Sequence, residues 1–175
     1  KTMMARALVS ILPDPSEDEV IEITKIHSLA GETSDSITTR PFRSPHHTSS
    51  SVALIGGGKI PRPGEISLSH RGVLFLDEIP EFPRTTLEAL RQPLEDRIIN
   101  ISRANQNSTY PADFMLIATQ NPCPCGYALD EDRDCTCSHL QISNYSKKLS
   151  GPLLDRIDMI TTAQKIKHDQ LLIKS

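Results

Sequence analysis

Tryptophan is absent from this 175-residue sequence, and only 4% of the residues are aromatic. No apolar run is long enough to span a membrane, and no basic segment followed by apolar residues resembles a secretory signal. Cysteine is scarce, and all four cysteines lie between Cys123 and Cys137, as a local cluster and not the framework of a secreted fold. These absences lead us to expect a cytoplasmic protein without a membrane partner.

Neither sign of charge is in large excess, since 19 lysines and arginines face 22 aspartates and glutamates. A net charge of −3 creates no global positive field, so a nucleic acid would have to bind a local basic patch. The hydrophobic content of 37% and the charged content of 23% are typical of one globular domain. The first residue is Lys1 instead of methionine, and we interpret the chain as a fragment of a longer protein.

Helix and strand signals alternate along the chain. Good helix formers at 2–12 predict a first helix, and the capping box that begins at Ser16 predicts a second, which ends at Gly31. Two apolar runs, 73–76 and 114–119, predict buried strands. The other predicted elements are a long loop with a hairpin at 32–70, a helix at 85–96, a hairpin at 97–111, helices at 143–149 and 151–156, and a strand at 158–162. This alternation predicts an α/β fold with a parallel sheet.

The strand predicted at 73–76 ends in the acidic pair Asp77 and Glu78. Phosphoryl transfer to water needs one carboxylate that holds Mg²⁺ and a second group that orients or deprotonates the water. A strand that delivers both carboxylates at its end meets this need. On its own, the pattern fits equally well a strand that simply turns into solvent.

Further residues follow in the order that a P-loop ATPase needs. Lys1 and Thr2 match the end of G-x-x-x-x-G-K-[ST], in which the lysine contacts the β- and γ-phosphates and the threonine binds Mg²⁺. Asn121 follows the strand at 114–119, where an amide suits holding the hydrolytic water or sensing the γ-phosphate, although an Asx turn leading into Pro122 explains it equally well. Arg156 suits an arginine finger, but an ion pair with a neighbouring aspartate is an equal alternative.

Several longer motifs occur in a fixed order. They are RPFRSPHHT at 40–48, PGEI at 63–66 ahead of GVLFLDE at 72–78, LRQPLE at 90–95, NPCPCG at 121–126 and SGPLLDRID at 150–158. Together they closely resemble the magnesium-chelatase-like AAA+ proteins of bacteria, specifically the YifB/ComM branch, over residues 1–162.

The resemblance implies a P-loop NTPase fold of the AAA+ type, an αβα sandwich with a parallel central sheet. The AAA+ core would cover 1–162, with its Walker A motif cut at Lys1, and 163–175 would begin a linker to a C-terminal lid that the sequence lacks. ATP and Mg²⁺ are the implied ligands, and a homo-oligomeric ring, usually a hexamer, is the implied assembly. DNA is the implied partner, because one member of this branch is a helicase that promotes branch migration during natural transformation.

The same resemblance assigns roles to individual residues. It implies nucleotide-binding roles for Lys1, Thr2 and Asp77, with Thr2 and Asp77 on Mg²⁺, and catalytic roles for Glu78, Asn121 as sensor 1 and Arg156 as a finger that reaches the neighbouring subunit. The glycine-rich loop that precedes Lys1 in the family is missing from this sequence. We therefore assign ATPase chemistry to the longer parent protein.

Basic residues are concentrated in the segment 40–71, in which Glu65 is the only acidic residue. A basic loop of this kind suits contact with a phosphate backbone in the pore of a ring. The candidates for DNA contact are Arg40, Arg43, Lys59 and Arg62. The hairpin predicted at 97–111 is a second candidate surface. Solvated loop charges and subunit contacts are the alternative explanations.

The cysteines form two C-x-C pairs separated by nine residues, Cys123 with Cys125 and Cys135 with Cys137. Four thiolates satisfy tetrahedral zinc and would lock an otherwise irregular loop. C-x-C is tighter than the usual C-x₂-C spacing, and reduced thiols or a labile disulfide explain the cluster equally well.

Three functions compete at this point. The first is an ATP-hydrolysing motor that remodels or translocates DNA. The second is the ATPase subunit of a magnesium chelatase, which drives the insertion of Mg²⁺ into a porphyrin. The third is a non-catalytic assembly module. The CPC segment and the RSPHH motif favour the first function over the second.

Overall fold

The computed structural model describes residues 2–58, 60–103, 106–130 and 132–163. Within these residues the helices are α1 Thr2–Val9, α2 Glu17–Ala30, α3 Ser51–Ile55, α4 Glu65–Leu68, α5 Arg84–Ala89, α6 Arg91–Asp96, α7 His139–Ser146 and α8 Gly151–Leu154, with a 3₁₀ turn at Ile79–Glu81. The strands are β1 Phe42–Arg43, β2 Gly56–Gly57, β3 Arg62–Pro63, β4 Val73–Leu76, β5 Ile98–Arg103, β6 Gln106–Pro111 and β7 Met115–Ala118.

The central sheet is parallel, with the strand order β1–β4–β7. Phe42 lies opposite Val73 on one side of β4, and Leu76 lies opposite Ala118 on the other. All four side chains of β4 are buried, as expected for the middle strand of a parallel sheet that is covered on both faces. The predicted α/β class with a parallel sheet is therefore confirmed.

Both faces of β4 are packed. Leu74 and Leu76 join a cluster of buried apolar side chains to which α3, α5 and α8 each contribute a leucine. Successive residues of a strand point to opposite faces, so Phe75 lies on the other side. Its ring stacks on that of Phe42, with the centroids 6.0 Å apart. The apolar run at 73–76 is thus the centre of the core.

The first two helices occur where the sequence predicts them. Ser16 caps α2 through both hydrogen bonds of a capping box with Glu19, and Gly31 ends the helix with a φ of 82°. That left-handed conformation favours glycine because it has no Cβ. α1 ends at Val9, earlier than predicted.

The segment 32–70 is more ordered than the predicted loop with one hairpin. It contains β1, α3, the antiparallel pair β2–β3, and α4. The apolar run at 52–55 belongs to α3, whose cap Ser50 accepts a hydrogen bond from the N–H of Ala53 at 3.1 Å. Elements this short depend on contacts with the rest of the fold, which local sequence signals do not contain.

The later elements differ from prediction mainly at their ends. The helix predicted at 85–96 is divided into α5 and α6 at Leu90, because Pro93 has no N–H to donate to the carbonyl one turn earlier. The hairpin predicted at 97–111 is present as β5 and β6. α7 begins after the cap Ser138, earlier than predicted, and α8 is a single turn.

The strand predicted at 158–162 is wrong, since these residues have no regular structure. Met159 and Ile160 are 82% and 74% exposed. A strand needs a hydrogen-bonded neighbour, and none pairs with these residues in the part of the chain that the structure describes. Two adjacent apolar residues therefore did not suffice to form a strand.

Ion pairs fasten α2 to the start of β4. The guanidinium of Arg71 donates to Glu22 at 2.9 Å and to Asp113 at 2.8 Å. His70 is buried, and its Nδ1 accepts from the N–H of Asp113 at 3.0 Å, so its Nε2 carries the proton that faces Glu22 at 3.2 Å. Desolvation lowers the pKa of His70, so the ring is neutral at pH 7.

Across the described ranges, no helix combines the length and the apolar character that a bilayer crossing requires.

Gly72 lies directly before β4, where the backbone of Pro41 passes closely. A Cβ at position 72 would overlap the Pro41 carbonyl oxygen, which accepts a hydrogen bond from the N–H of Val73 at 2.8 Å. We expect Gly72→Ala to lower the free energy of unfolding by about 1–3 kcal/mol, because β1 must move away from β4. Urea-induced unfolding measures this difference.

Gly151→Ala is the matched control, since a Cβ at position 151 meets no atom within 4 Å. Equal unfolding midpoints for the two variants would contradict the close approach of β1 and β4.

Candidate functional site

The acidic pair lies at the carboxyl end of β4, beside the carboxyl end of β7. Leu76 is opposite Ala118, so the residues that follow, Asp77 and Thr119, lie next to each other. The N–H of Thr119 donates to the carbonyl of Leu76 at 3.0 Å, and its own carbonyl accepts from the N–H of Ile79 at 2.9 Å. The sheet thus fixes the backbone on which the site is built.

Thr119 connects the two acidic residues. Its hydroxyl donates to Oδ1 of Asp77 in a very short hydrogen bond, and it accepts from the N–H of Glu78 at 3.2 Å. The hydroxyl of Thr2, at the start of α1, donates to Oδ2 of the same aspartate at 3.3 Å. Each carboxylate oxygen of Asp77 therefore accepts a hydrogen bond, Oδ1 from Thr119 and Oδ2 from Thr2.

Glu78 has a left-handed backbone, with a φ of 53°, and begins the 3₁₀ turn. A non-glycine residue in this conformation costs free energy and is typical of positions where a side chain must be aimed. Its Oε1 accepts a hydrogen bond from the Nδ2 of Asn121 at 3.1 Å. The structure therefore brings together Thr2, Asp77, Glu78 and Asn121, which the sequence nominated from three separate segments.

Thr119 is the residue that sequence reasoning missed. The sequence places it only as the last residue of a predicted strand. The signal that could have found it is positional, because parallel strands end at the same edge of a sheet and a hydroxyl directly after β7 must meet the carboxylate directly after β4.

The donor set fits a magnesium ion. A threonine hydroxyl and an aspartate carboxylate are the hard oxygen ligands that Mg²⁺ prefers. Thr2 and Asp77 present them within hydrogen-bond distance of each other. Lys1, the other predicted phosphate contact, lies outside the described residues.

The contacts described for Arg156 are with residues outside this network. Its guanidinium pairs with Glu95 in a very short contact and donates to the carbonyl of Pro152 at 2.7 Å. Its Nε is buried and has no hydrogen-bond partner among the described residues. The alternative ion pairs with Asp155 or Asp158 are not among the salt bridges that the structure describes.

Two of the four basic residues nominated for DNA contact are used inside the fold. Arg40 donates to the carbonyl of Pro13 at 2.6 Å, to that of Arg71 at 2.8 Å and to Glu19 at 3.1 Å. These bonds use the donors that a phosphate would need. The structure therefore does not favour Arg40 as a DNA contact.

Arg43 is occupied in the same way, between Glu65 at 2.6 Å and Glu32 at 3.0 Å. The hydrogen bond to Glu65 is the main reason that the pKa of Arg43 is raised. Of the remaining candidates, Arg62 is exposed, whereas Lys59 lies outside the described residues. Arg62 is thus the candidate that stays available.

The four cysteine sulfurs converge. The Sγ of Cys123 lies 3.3 Å from that of Cys125 and 3.6 Å from that of Cys135. All four sulfurs lie within 4.8 Å of one another, and none forms a disulfide. Cys123 is fully buried, and the other three cysteines are half-buried.

The cluster holds thiols of opposite character. A hydrogen bond from the backbone of Tyr127 lowers the pKa of Cys125 to about 5. At Cys135 the backbone of Cys137 favours the thiolate, but desolvation and the neighbouring sulfurs outweigh it and raise the pKa to about 12. Like charges this close oppose each other, so ionisation of one sulfur disfavours ionisation of its neighbours.

Paired carboxylates at the end of a parallel strand, tied to a threonine at the start of a helix, are an arrangement typical of the Mg²⁺-binding edge of P-loop NTPases. The profile of the family described as magnesium chelatase, subunit ChlI, matches residues 1–171. The chain belongs to this family. The predicted resemblance and the predicted AAA+ fold class are thereby confirmed.

Curated relatives place the chain within this family more closely. It is 50% identical to the uncharacterized protein YifB of Escherichia coli over 161 residues, which are 91% of this chain and 31% of that protein. It is also 50% identical to the competence protein ComM of Haemophilus influenzae over 162 residues, with the same two shares. The chain therefore spans about a third of the length of these relatives.

More distant proteins are also similar. The magnesium-chelatase 67 kDa subunit of Chlorobaculum parvum is 23% identical over 124 residues, which are 70% of this chain and 17% of that subunit. Among solved structures, NtrX of Brucella abortus in complex with ADP has a TM-score of 0.46 and 18% identity, covering 69% of this chain and 24% of that one.

Replacing Thr119 by valine keeps its shape and removes the hydroxyl that bridges Asp77 and Glu78. We expect Thr119→Val to lower the free energy of unfolding by about 1–2 kcal/mol, because a half-buried carboxylate loses a donor and an N–H loses its acceptor. Chemical denaturation measures the loss. Thr109→Val, which removes an exposed hydroxyl bonded to Asn100, is the control. Equal effects of both changes would contradict a special role for Thr119.

Proposed function

We propose that this chain is the ATP-hydrolysing core of a AAA+ motor. The observation that carries the proposal is the contact between Asn121 and Glu78, beside an aspartate that also contacts Thr2. These residues converge from three segments, at the edge of the sheet where nucleotides bind in such folds. Membership of the magnesium chelatase family supports the same conclusion.

Glu78 acts as the general base in this proposal. Its carboxylate takes a proton from the attacking water while the water oxygen bonds to the γ-phosphorus and the bond to the bridging oxygen breaks. The Asn121 amide holds this carboxylate at 3.1 Å and restricts its rotation. The left-handed backbone at Glu78 fixes the direction from which the side chain approaches.

Thr2 and Asp77 would hold Mg²⁺, the ligand set that the hydroxyl and the carboxylate suit. Bound there, Mg²⁺ supplies positive charge that offsets the charge of the phosphates. Thr119 keeps one oxygen of Asp77 fixed and leaves the carboxylate oriented toward Thr2. Lys1 is proposed to reach the phosphates, as its position before α1 implies.

Arg156 is proposed to act on the nucleotide of a neighbouring subunit in a ring, which we expect to be a hexamer. Membership of the magnesium chelatase family supports this role, for which the guanidinium would have to release its partner Glu95. An arginine supplied from another subunit would stabilise charge on the transferring phosphoryl group.

DNA is the proposed substrate of the motor. The similarity to a competence protein supports it, at 50% identity over most of this chain. Insertion of Mg²⁺ into a porphyrin is less well supported, because the chelatase subunit is only 23% identical over 70% of the chain. A purely structural module does not account for the strained glutamate beside the amide.

Glu78→Gln in the full-length protein is expected to lower the rate of ATP hydrolysis by about 100-fold or more, while ATP still binds. The amide keeps the size of the side chain but cannot accept the proton. Steady-state hydrolysis and nucleotide titration measure the two quantities. Glu81→Gln is the control, because this nearby carboxylate pairs with Lys148 at the surface. An unchanged rate of ATP hydrolysis in Glu78→Gln would contradict the proposal.

Arg62→Ala in the full-length protein is expected to weaken DNA binding and to reduce the salt dependence of log K by about 0.9, the value for one lost phosphate contact. Arg62 is exposed, and no ion pair of its side chain is found among the described residues. Fluorescence anisotropy at several salt concentrations gives the slope. The control is Arg84→Ala, another exposed arginine outside the 40–71 segment. Identical slopes for the two variants would argue against Arg62.

A further inference from the structure

The cysteine sulfurs are arranged as zinc ligands would be. Four sulfurs at about 2.3 Å from one zinc ion lie about 3.8 Å from each other at the corners of a tetrahedron. The observed separations are 3.3 Å for Cys123 and Cys125, and 3.6 Å for Cys135 to each of them. With Cys137 included, all four sulfurs stay within 4.8 Å. Two separate disulfides have no need for such a common centre.

The backbone around the cysteines also suits metal binding. Gly126, directly after the first pair, has a φ of 86°, and its N–H donates to the carbonyl of Cys123 at 3.0 Å. This turn folds the chain back so that backbone N–H groups face the sulfurs, as the hydrogen bond of Tyr127 with Cys125 shows. N–H groups stabilise thiolates, the form in which cysteine binds a metal.

The loop between the pairs is closed by its own contacts. Arg133 donates to the hydroxyl of Tyr127 at 2.9 Å and lies over its ring at 5.2 Å. These contacts bring the second pair back toward the first. The segment has no helix or strand among its described residues between the two pairs, so side-chain contacts and sulfur ligation are what can order it.

The two ends of this loop are both connected to Asn121, one through the chain and the other through α7. Cys123 follows Asn121 by two residues, and Cys137 directly precedes Ser138, the cap of α7. α7 carries Tyr145, which is buried and forms a hydrogen bond with the backbone of Asn121. A metal bound by the sulfurs would therefore tie the segment after β7 to the start of the helix that supports it.

We propose that Cys123, Cys125, Cys135 and Cys137 bind one zinc ion, and that this zinc centre positions Asn121 against Glu78. The metal is structural, because all four positions of a tetrahedron are taken by sulfur and none is open to substrate. The cysteines are positioning residues, since they act through Asn121. The effect on hydrolysis rests on the proposed ATPase function, whereas zinc binding and the ordering of the loop do not.

The first test is metal content. Full-length protein is expected to contain about one zinc per chain, and Cys125→Ser and Cys137→Ser to lose it. Thr136→Ala, an exposed residue between two ligands, should keep the metal. Replacement by cobalt should give the ligand-field absorption of a tetrahedral thiolate site. Absence of a bound metal, or its retention in both serine variants, would overturn the zinc assignment.

The second test is hydrogen exchange with mass spectrometry on wild-type protein that has been stripped of metal and then reloaded. Exchange in peptides over 119–127 is expected to rise without metal and to return with zinc, while peptides over β4 stay protected. Wild-type chelation avoids variants that fail to fold. Unchanged exchange over 119–127 would show that zinc does not order the segment that holds Asn121.

The third test separates positioning from catalysis. Without zinc, kcat for ATP hydrolysis is expected to fall by about 10- to 100-fold, with ATP affinity within a few-fold of normal, because misplacing a catalytic group affects the reaction more than binding. An unchanged kcat would overturn the positioning role. If zinc-loaded protein hydrolyses no ATP, the proposed function fails, and metal content and hydrogen exchange still decide the zinc site.

Discussion

The parallel pairing of β4 with β7 is the constraint on which the rest of the site depends. Its register sets Leu76 opposite Ala118, and the contacts of Thr119 with Asp77 and Glu78 follow from that alignment. The residues after the strands, Asp77 and Thr119, must then meet, and the hydroxyl of Thr119 joins the carboxylate to the backbone of Glu78. A shift of one residue would exchange the two packed faces of β4 and move Asp77 away from Thr119, so the packing of the core maintains the geometry of the site.

Sequence reasoning succeeded where a strong local pattern coincided with a structural need. The apolar run at 73–76 predicts a buried strand because a middle parallel strand is covered on both faces, and the capping box at Ser16 predicts the start of α2 because it satisfies exposed N–H groups. It failed at 32–70 and at 158–162 for the opposite reason. α3 and α4 are too short to be stable alone, and the segment 158–162 has no paired neighbour among the described residues with which to form a strand.

The availability of charged residues also could not be predicted from local sequence. A basic stretch with a single acidic residue reads as an available surface, yet Arg40 and Arg43 are paired with Glu19, Glu32 and Glu65, two of which lie outside that stretch. Composition cannot reveal partners that come from elsewhere in the chain. Conversely, Asp77, Glu78 and Asn121 could be nominated from sequence because they lie within two residues of the ends of predicted strands, and parallel strands end at a common edge. Their mutual contacts, and the bridging role of Thr119, need the register.

The sheet fixes the members of the site unequally. The N–H of Thr119 donates to the Leu76 carbonyl, and its carbonyl accepts from the N–H of Ile79, so its position follows from the pairing of β4 with β7. Asn121 lies two residues further along, where β7 has already ended. Its amide nevertheless has to stay within hydrogen-bond distance of a strained glutamate. The neighbouring Pro122 restricts the backbone. Tyr145 of α7 forms a hydrogen bond with the backbone of Asn121, and the cysteine cluster begins at Cys123. Precision at Asn121 must therefore come from the loop and not from the sheet, which explains why a segment with so little regular structure is so heavily cross-connected.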